Sequence, residues 1–315
     1  MDELAAPFER LTEAAASAVL DEHYGLTADR LERLDTERDD SFHVESVHGE
    51  FVFKVAHPAD DPLVINLQTA AMSFAAEIEP RLPLQRVLPS LEGEVEPELA
   101  TGAGERVMRV LTWLPGSLLR QASPTDAQLE QLGVVQARLA IALEDFRHPA
   151  AERELSWDIL NLPKLRHLLE FAPDVAPVLE RIDSLGERLA ALPHQVVHND
   201  INLDNVLTDA GDPGFVTGIL DFGDVVFTAR AADLAVGLSY LLDERGLDSV
   251  QPFIDGYTRT NPLTGEELEL LPDLVRGRLA LRILLASWLS STVPDNADYT
   301  ARNLARSRAQ LAVLG

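Results

Sequence analysis

Cysteine is absent from the 315-residue sequence, and lysine is nearly absent. The lack of cysteine excludes disulfides, thiolate zinc sites and cysteine nucleophiles, and it leaves the redox compartment open. Only two lysines, Lys54 and Lys164, stand beside 24 arginines. Arginine is therefore the ordinary surface cation of this chain, and a lysine in an apolar segment is conspicuous.

Signals for export or membrane insertion are also missing. The N-terminal stretch MDELAAPFERL is acidic, whereas a signal peptide needs a basic start followed by an apolar run. No uncharged apolar stretch approaches the length that spans a bilayer, and Arg282 interrupts the apolar segment LALRILLASWL. The sequence thus predicts a soluble, cytoplasmic protein that does not act at a membrane.

Positive charge is scarce, because 26 basic residues face 52 acidic ones and the formal net charge is -26. Such a chain repels polyanions, so nucleic acid is excluded as a partner. Solubility and genome composition are a sufficient reason for the charge, which still allows a basic small molecule as ligand. The length exceeds what one compact core usually holds, so we expect two lobes.

The first part of the chain changes from helical to strand periodicity and back. Apolar spacing from Phe8 onward predicts a helix that stops at Gly25. Alternating segments then predict strands, with a hairpin turn at His48-Gly49. The predicted strands are RLERLD, SFHVESV, EFVFKVA, RVLPSLEGE and ERVMRVLTWL, and the segment LVINLQTAAMSFAAEIE between the third and fourth predicts a helix.

From Ser123 onward helical patterns dominate, with Ser123 as the expected cap of the first helix. Only the strips VVH, NVL and GILDF predict short strands there. Because the composition shifts at LPGS, we expect an N-lobe over 1–113 and a C-lobe over 114–315. This order predicts an α+β protein with a ligand cleft between two lobes.

The stretch VVHNDINLDNVL places His198, Asp200 and Asn205 in the spacing H-x-D-x-x-x-x-N, and Asp221 ends the apolar strip GILDF. Phosphoryl transfer needs a carboxylate that orients the attacking hydroxyl and oxygen ligands for Mg²⁺. Two strands side by side would bring Asp221 to the same end as Asp200 and Asn205. Each motif alone could be a polar turn after a strand, but their order and close spacing favour a nucleotide-metal site.

Lys54 lies inside the apolar strand FVFKVA. A compact ammonium on a buried strand is suited to pairing with nucleotide phosphates. The alternative is an edge-strand lysine that faces water.

Taken together, Lys54, HNDINLDN and LDFGD resemble the kinase signature set, while the absence of A-P-E after Gly223 argues against a protein kinase. From about Leu34 onward the chain is similar to the aminoglycoside phosphotransferase and choline kinase-like family of small-molecule kinases. Within that family it most resembles the hydroxylysine kinase branch, through FVFKVA, LTWLPG, WDILNLPKL, HNDINLDNVL and GILDFGDVVFTARAADLA. The resemblance implies a two-lobed protein-kinase-like fold, with a small antiparallel-sheet N-lobe that has one main helix and a larger, mostly helical C-lobe.

The resemblance also implies ATP and Mg²⁺ as cofactors and a role for each matching residue. Asp200 would be the catalytic base, and Asn205 and Asp221 would hold Mg²⁺. Lys54 would contact the α and β phosphates of ATP. The linker would bind adenine through backbone groups of Thr112, Trp113 and Leu114.

Two positions depart from the family pattern. No G-x-G-x-x-G precedes Lys54, and the hairpin TERDDSFHV stands in its place, so phosphate capping would fall to backbone N–H groups near Ser41 and Phe42. The helical glutamate that pairs with the lysine is matched by Gln68, a neutral acceptor. Glu77 is the competing candidate.

The phosphate acceptor must be a hydroxyl, and several acidic residues lie near the motifs. Asp204 and Asp224 are candidates for binding it, and Trp157 beside Asp158 could offer an aromatic face and a carboxylate to an ammonium group. The alternative is that Trp157 is a core aromatic and Asp158 a helix cap. His198 is expected to brace the catalytic loop, and Asp233 to cap or anchor a helix.

The predicted function is ATP-dependent phosphorylation of a hydroxyl on a small amine-bearing metabolite, such as an amino alcohol or hydroxylysine. An aminoglycoside or other antibiotic kinase is the nearest alternative. A nucleotide-binding pseudokinase that regulates a partner is a second, favoured by the missing glycine loop and opposed by the intact Asp200, Asn205 and Asp221. A metal-dependent hydrolase would need more ligands and no strand lysine.

Overall fold

The computed structural model describes residues 9–36, 39–102, 104–292 and 297–314. The strands are β1 Arg30–Arg33, β2 Asp40–Ser46, β3 Gly49–Val55, β4 Val87–Leu88, β5 Glu98–Thr101, β6 Gly104–Thr112, β7 Ser117–Leu118, β8 His194–Val197, β9 Val206–Thr208, β10 Val216–Ile219 and β11 Val226–Ala229. The helices are α1 Glu13–Tyr24, α2 Pro62–Ile78, α3 Asp126–Ala142, α4 Ala176–Ser184, α5 Gly186–Ala190, α6 Arg230–Leu241, α7 Gln251–Thr260, α8 Gly265–Thr292 and α9 Ala297–Val313.

The small lobe is one antiparallel sheet flanked by α1 and α2. Its strands run in the order β1-β2-β3-β6-β4, and β5 pairs with β6. Helix α1 begins after the Thr12 cap and ends at Gly25, whose φ of 63° suits a residue without a Cβ. That end was predicted, whereas Phe8 lies outside the described residues.

The two helices of the small lobe pack into different cores. Residues of α1 share a cluster with Phe42, Phe53 and Met108 of the sheet. The buried residues of α2, among them Leu67 and Ala75, join the large cluster that continues through the second lobe. Helix α2 therefore ties the sheet to the helical lobe.

The large lobe is mainly helical, and its first helix starts later than predicted. Thr125, not Ser123, caps α3, because Gln128 stands three residues after Thr125 and completes a capping box with it. Ser123 is followed by Pro124, before the helix begins. The expected cap at Ser123 is thus wrong by two positions.

Short strands interrupt the helices of the large lobe and deliver the motif residues. Strand β8 pairs with β11, while β9 and β10 form an antiparallel hairpin that β7 extends. Strands β5, β7 and β11 were not predicted. The strand preceding Asp200 consequently does not lie beside the strand preceding Asp221 but belongs to another small sheet.

The chain crosses from the small lobe at the end of β6, Thr112, and reaches the small sheet of the large lobe at Ser117 in β7. We keep the division into 1–113 and 114–315 as our proposal for the two lobes. Within the described residues, no helix is both long enough and apolar enough to cross a membrane.

Candidate active site

The loop after β8 is held in a fixed shape by two buried side chains. The Asn199 backbone has a φ of 62°, and its N–H donates to Asp233 Oδ1 at 2.6 Å. His198 Nδ1 accepts the Asp200 N–H, and His198 Nε2 lies 3.1 Å from the Leu220 carbonyl. The imidazole therefore braces the loop against the strand that leads to Asp221, as predicted, and Asp233 anchors the loop as well as α6.

Asp200 is fixed by one donor on each carboxylate oxygen. Arg278 Nη2 donates to Oδ1 at 3.1 Å, and Asn205 Nδ2 donates to Oδ2 at 2.7 Å. Each oxygen keeps a further lone pair, so a hydroxyl can still donate to this carboxylate. Asp200 therefore has the orientation and the acceptor capacity of a general base.

Asn205 and Asp221 lie at the open end of the β9–β10 hairpin. Ile219 is opposite Val206, and the Leu220 N–H donates to the Asn205 carbonyl at 2.8 Å. The amide nitrogen of Asn205 is used by Asp200, which leaves Asn205 Oδ1 as an acceptor. The antiparallel β9–β10 hairpin brings these two side chains to the loop that holds Asp200.

The backbone and charge at Asp221 suit a cation ligand. Its φ is 60°, a left-handed conformation that is uncommon for non-glycine residues and that aspartate tolerates better than most. Desolvation by the cleft walls raises the pKa of Asp221, but Lys54, the Gly223 N–H and His198 lower it more, so the net pKa lies below its ordinary value. Asp221 is thus ionised at neutral pH.

These donors fit a hard divalent ion. Mg²⁺ prefers oxygen ligands and commonly takes only one or two from protein, with phosphates and water completing its shell. Across the described ranges, no cluster of three or more histidine or carboxylate side chains could hold a metal alone. A site made of Asn205 and Asp221 therefore depends on oxygens from a nucleotide, which opposes the hydrolase alternative.

Asp224 has an unusual titration for a carboxyl group. Burial, Asp200 and Asp221 raise its pKa to about 7, although Arg278 and Arg153 oppose the shift. Three carboxylates thus crowd one end of the cleft. A bound cation would favour the ionised form of Asp224.

Lys54 projects from β3 toward the site but does not contact its expected helical partner. Its Nζ lies 3.8 Å from Asp39 Oδ2, and its charge acts on Asp221. Gln68 instead accepts a hydrogen bond from Arg109 Nη1 at 3.2 Å. Glu77 is exposed and forms no ion pair with Lys54 within the described chain. Neither Gln68 nor Glu77 therefore pairs with Lys54, contrary to our expectation.

A second cation beside Lys54 explains why Gln68 has a different partner. Arg109 of β6 is directly opposite Lys54 in the sheet, and it also donates to Thr69 Oγ1 at 3.2 Å. Burial lowers the pKa of Arg109, while Asp39, Glu96 and Asp221 raise it. Gln68 on α2 therefore bonds the Arg109 guanidinium and not the Lys54 ammonium. This hydrogen bond ties α2 to β6.

Ser41 and Phe42 lie within β2, opposite Lys54 and Phe53 of β3, and not in the turn before it. Phe42 is fully buried in the core, so its neighbourhood does not form a phosphate loop. Ser41 shares the face of Lys54 because cross-strand partners point to the same side. Its buried hydroxyl has no hydrogen-bond partner in the part of the chain described, so a phosphate contact would come from this side chain.

The linker after β6 has already used several of its backbone groups. Thr112 donates its N–H to the Arg86 carbonyl and accepts from Gln85 Nε2, and the Trp113 N–H donates to the Glu50 carbonyl. Among the described residues, the Trp113 carbonyl and the Leu114 N–H form no hydrogen bond. Of the three residues predicted to meet adenine, these two groups are the ones available.

Three of the predicted substrate residues have protein partners instead. Asp158 is 5% exposed, caps the 3-10 helix that follows it and accepts from Thr228 Oγ1 at 3.0 Å. Asp204 is ion-paired with Arg120. The Trp157 ring faces the Arg278 guanidinium at 5.2 Å. For Trp157 and Asp158 the packing and capping alternative is therefore the better description, and Asp224 is the carboxylate least committed to a partner.

Arg278 is the site residue that sequence reasoning missed. It is 1% exposed and donates to both Asp200 and the Trp157 carbonyl. Its only signal in the sequence is a charge within the apolar pattern of α8, where Arg282 follows one turn later. Nothing local indicates that this charge meets a loop some 78 positions earlier.

Comparison with known proteins agrees with this geometry. A family model described as "Phosphotransferase enzyme family" matches residues 31–271. The chain is 30% identical to hydroxylysine kinase of Danio rerio over 97% of this chain and 92% of that protein. It is 33% identical to homoserine kinase of Chelativorans sp. (strain BNC1) over 69% of this chain and 66% of that protein.

A solved structure of the amicoumacin kinase hAmiN in complex with AMP-PNP, Ca²⁺ and Ami is similar in fold. The TM-score is 0.74 at 17% identity, with 96% of this chain and 93% of that chain covered. The predicted two-lobed α+β kinase-like fold is confirmed by this likeness.

Proposed function

The chain belongs to the phosphotransferase enzyme family, and from this premise we propose that it transfers the γ-phosphate of ATP to a hydroxyl of a hydroxylated amino acid such as hydroxylysine. It is a small-molecule kinase with an alcohol as acceptor. Kinases of this type use ATP and a divalent metal. The acceptor class and Mg²⁺ as the metal are our proposals.

The observation that carries the proposal is the orientation of the Asp200 carboxylate. Asn205 donates a hydrogen bond to one of its oxygens and Arg278 donates to the other. In the reaction the acceptor oxygen forms a bond to the γ-phosphorus, and the bond from that phosphorus to the leaving ADP oxygen breaks. Asp200 takes the acceptor's hydroxyl proton. Because the carboxylate is already oriented, little reorganisation is needed when the acceptor arrives.

Asn205 Oδ1 and Asp221 would hold Mg²⁺, which neutralises charge on the phosphate oxygens when bound. Lys54 would pair with the α and β phosphates, and the Ser41 hydroxyl would donate to a phosphate oxygen. Adenine would meet the Trp113 carbonyl and the Leu114 N–H. Gln68 would act through Arg109, by holding α2 against the strand beside Lys54.

An amine on the acceptor is supported by Asp224. Its raised pKa reflects burial first and then the nearby charges of Asp200 and Asp221, and an ammonium group would offset all three effects. Trp157, Asp158 and Asp204 would then shape this part of the cleft rather than bind the amine themselves.

Two other acceptors and one other class of function compete. The likeness to an amicoumacin kinase favours an antibiotic as acceptor, and an amino alcohol would satisfy Asp224 equally. A regulatory pseudokinase is opposed by the combination of an oriented Asp200 with two free metal-ligand oxygens, which a scaffold would not need.

The experiment is coupled ADP release with Mg²⁺ and ATP against hydroxylysine, homoserine, ethanolamine, choline and aminoglycosides. We expect turnover with the hydroxylated amino acids, and a loss of at least about 1000-fold in kcat for Asp200→Asn with nearly unchanged KM for ATP. Asp248→Asn, on an exposed surface, is the matched control and should retain wild-type rates. Sustained turnover by Asp200→Asn, or wild-type activity only with aminoglycosides, would reject the proposal.

A further inference from the structure

Two arginines stand one helical turn apart on α8, in a part of the protein where charges are costly. Arg278 is 1% exposed and Arg282 is 8% exposed. Residues at i and i+4 lie on the same face of a helix, so these guanidinium groups repel one another. A buried charge is tolerated only when it is paired and hydrogen-bonded.

Arg278 has a carboxylate partner, since it bonds Asp200 at 3.1 Å. Arg282 has none: among the residues that the structure describes, no carboxylate lies within ion-pair distance of its guanidinium. Its Nη1 makes one long hydrogen bond, 3.3 Å, to the Ser239 carbonyl, and its guanidinium lies 4.0 Å from the centre of the Tyr240 ring.

The charges and burial around Arg282 act in the same direction as this geometry. Burial, with a smaller effect from the neighbouring Arg278 and Arg306, lowers the pKa of Arg282 to about 10, although Tyr240 and Asp200 oppose the shift. The side chain still carries its charge at neutral pH. An anion beside it would recover the Coulomb energy that the protein alone does not supply.

The position of Arg282 relates its guanidinium to the catalytic loop. Tyr240, whose ring Arg282 covers, lines a cavity together with Ile201 and Asn202, the residues that follow Asp200. Arg278 links the same helix to Asp200 itself. The unpaired guanidinium of Arg282 therefore lies one helical turn from the arginine that holds Asp200, over a ring that shares a cavity with the residues after Asp200.

We propose that Arg282, with Arg278 behind it, binds the carboxylate of the acceptor, so that the substrate is a free amino acid bearing a hydroxyl. This inference rests on the proposed function and narrows it. Asp224 would take the ammonium and Arg282 the carboxylate, which leaves the hydroxyl to face Asp200. Amino alcohols and aminoglycosides lack the carboxylate and would leave Arg282 unpaired.

The test compares acceptors that differ only in the carboxylate: hydroxylysine with 1,5-diamino-2-pentanol, and homoserine with 3-amino-1-propanol. Wild-type enzyme should prefer the carboxylate member of each pair by about 30-fold or more in kcat/KM, the range seen when a buried charge partner is removed. Arg282→Gln should lose that preference, with kcat/KM falling only for the carboxylate members. Arg282→Lys should restore part of it because the charge is kept.

Arg276→Gln on the same helix is the matched control, because Arg276 bonds the Leu314 carbonyl away from the site, and its preference should equal that of wild type. Melting temperature and circular dichroism are measured for every variant, and if Arg282→Gln does not fold, Arg282→Lys carries the comparison. Equal losses for both members of a pair would overturn the proposal and assign Arg282 to the transferred phosphate or to folding. Wild-type turnover without a carboxylate preference would overturn it while leaving the proposed kinase function intact, whereas no turnover of any acceptor would overturn both.

Discussion

Asp40 is a fully buried carboxylate that joins three segments of the small lobe. It accepts the Leu11 N–H at 3.0 Å and lies 2.6 Å from Arg33 Nη1 and 3.0 Å from Arg106 Nη1. Burial raises the pKa of Asp40, but the hydrogen bonds from Leu11, Arg33 and Arg106 lower it more, so the net pKa is below its ordinary value. A single side chain thus links the start of the chain to both sides of the sheet.

We expect Asp40→Asn to destabilise the protein by about 3 kcal/mol at pH 7, because it removes a carboxylate that pairs with the buried Arg106. A carboxyl whose folded pKa is depressed stabilises the fold above its unfolded pKa, about 4, and that contribution is lost as pH falls through the folded pKa. The difference in melting temperature between wild type and variant should therefore persist at pH 5 and narrow below pH about 4. Asp174→Asn removes an exposed ion pair with Arg308 and should change the melting temperature little at any pH. A melting-temperature difference for Asp40→Asn that does not depend on pH would contradict this account.

At the scale of elements, α3 and α7 approach so closely that glycine is required on both. A Cβ on Gly133 would lie 2.1 Å from the Phe253 carbonyl oxygen, and one on Gly256 would lie 2.1 Å from the Glu130 carbonyl oxygen. Backbone atoms of a packed helix cannot move aside as a flexible side chain can. The helix pair at the base of the large lobe therefore depends on these two positions.

Gly133→Ala is expected to lower stability by about 3 kcal/mol, since the added methyl group forces the helices apart. Thermal unfolding measures the effect. Gly186→Ala in α5 provides the contrast, because nothing lies within 4 Å of its added Cβ and alanine gains up to about 1 kcal/mol over glycine in a helix. Equal shifts in the two variants would contradict close approach as the cause.

At the scale of the whole molecule, the two lobes meet where opposite charges are concentrated. Lys54 and the buried Arg109 beside it come from the small lobe, and their charges favour the ionised form of Asp221. Asp200, Asp221 and Asp224 come from the large lobe and act on one another. The formal net charge of -26 does not select a substrate by itself. In our proposal the distribution of charge does, because phosphates and a metal would lie between the lobes and a cationic group would lie against Asp224.

Asp224→Asn should therefore raise KM for an amine-bearing acceptor by about 10-fold or more, since the ammonium loses a partly buried charge partner. KM for ATP should stay within about twofold, because Asp224 is not one of its proposed ligands. Steady-state kinetics with each substrate varied in turn measure both constants. Asp204→Asn is the comparison, as Asp204 pairs with Arg120, and an unchanged acceptor KM in Asp224→Asn would remove Asp224 from the amine site.

The residues of the site differed in how far the sequence could predict them. Asp200, Asn205 and Asp221 were predicted from carboxylate and amide groups at short spacings after apolar strips, and the structure brings them together; their roles stay a prediction. Gln68 was matched by its place on α2, but its partner is Arg109, 41 positions away in β6. Backbone N–H groups near Ser41 and Phe42 were expected to cap the phosphates, whereas both residues lie inside β2, which pairs with β3 from Asp40 onward.

The sequence by itself determined the fold class and predicted the chemistry of the catalytic loop and a role for Lys54, because periodicity, turn residues and short motifs are local properties of the chain. Only the tertiary structure decided that Arg278 holds Asp200, that Arg282 lacks a counterion and that the β9–β10 hairpin brings Asp221 to Asn205. These facts depend on contacts between segments far apart in sequence. Side-chain pairing in a buried cleft follows from how the helices and strands pack, and a single sequence does not show which distant segments come into contact.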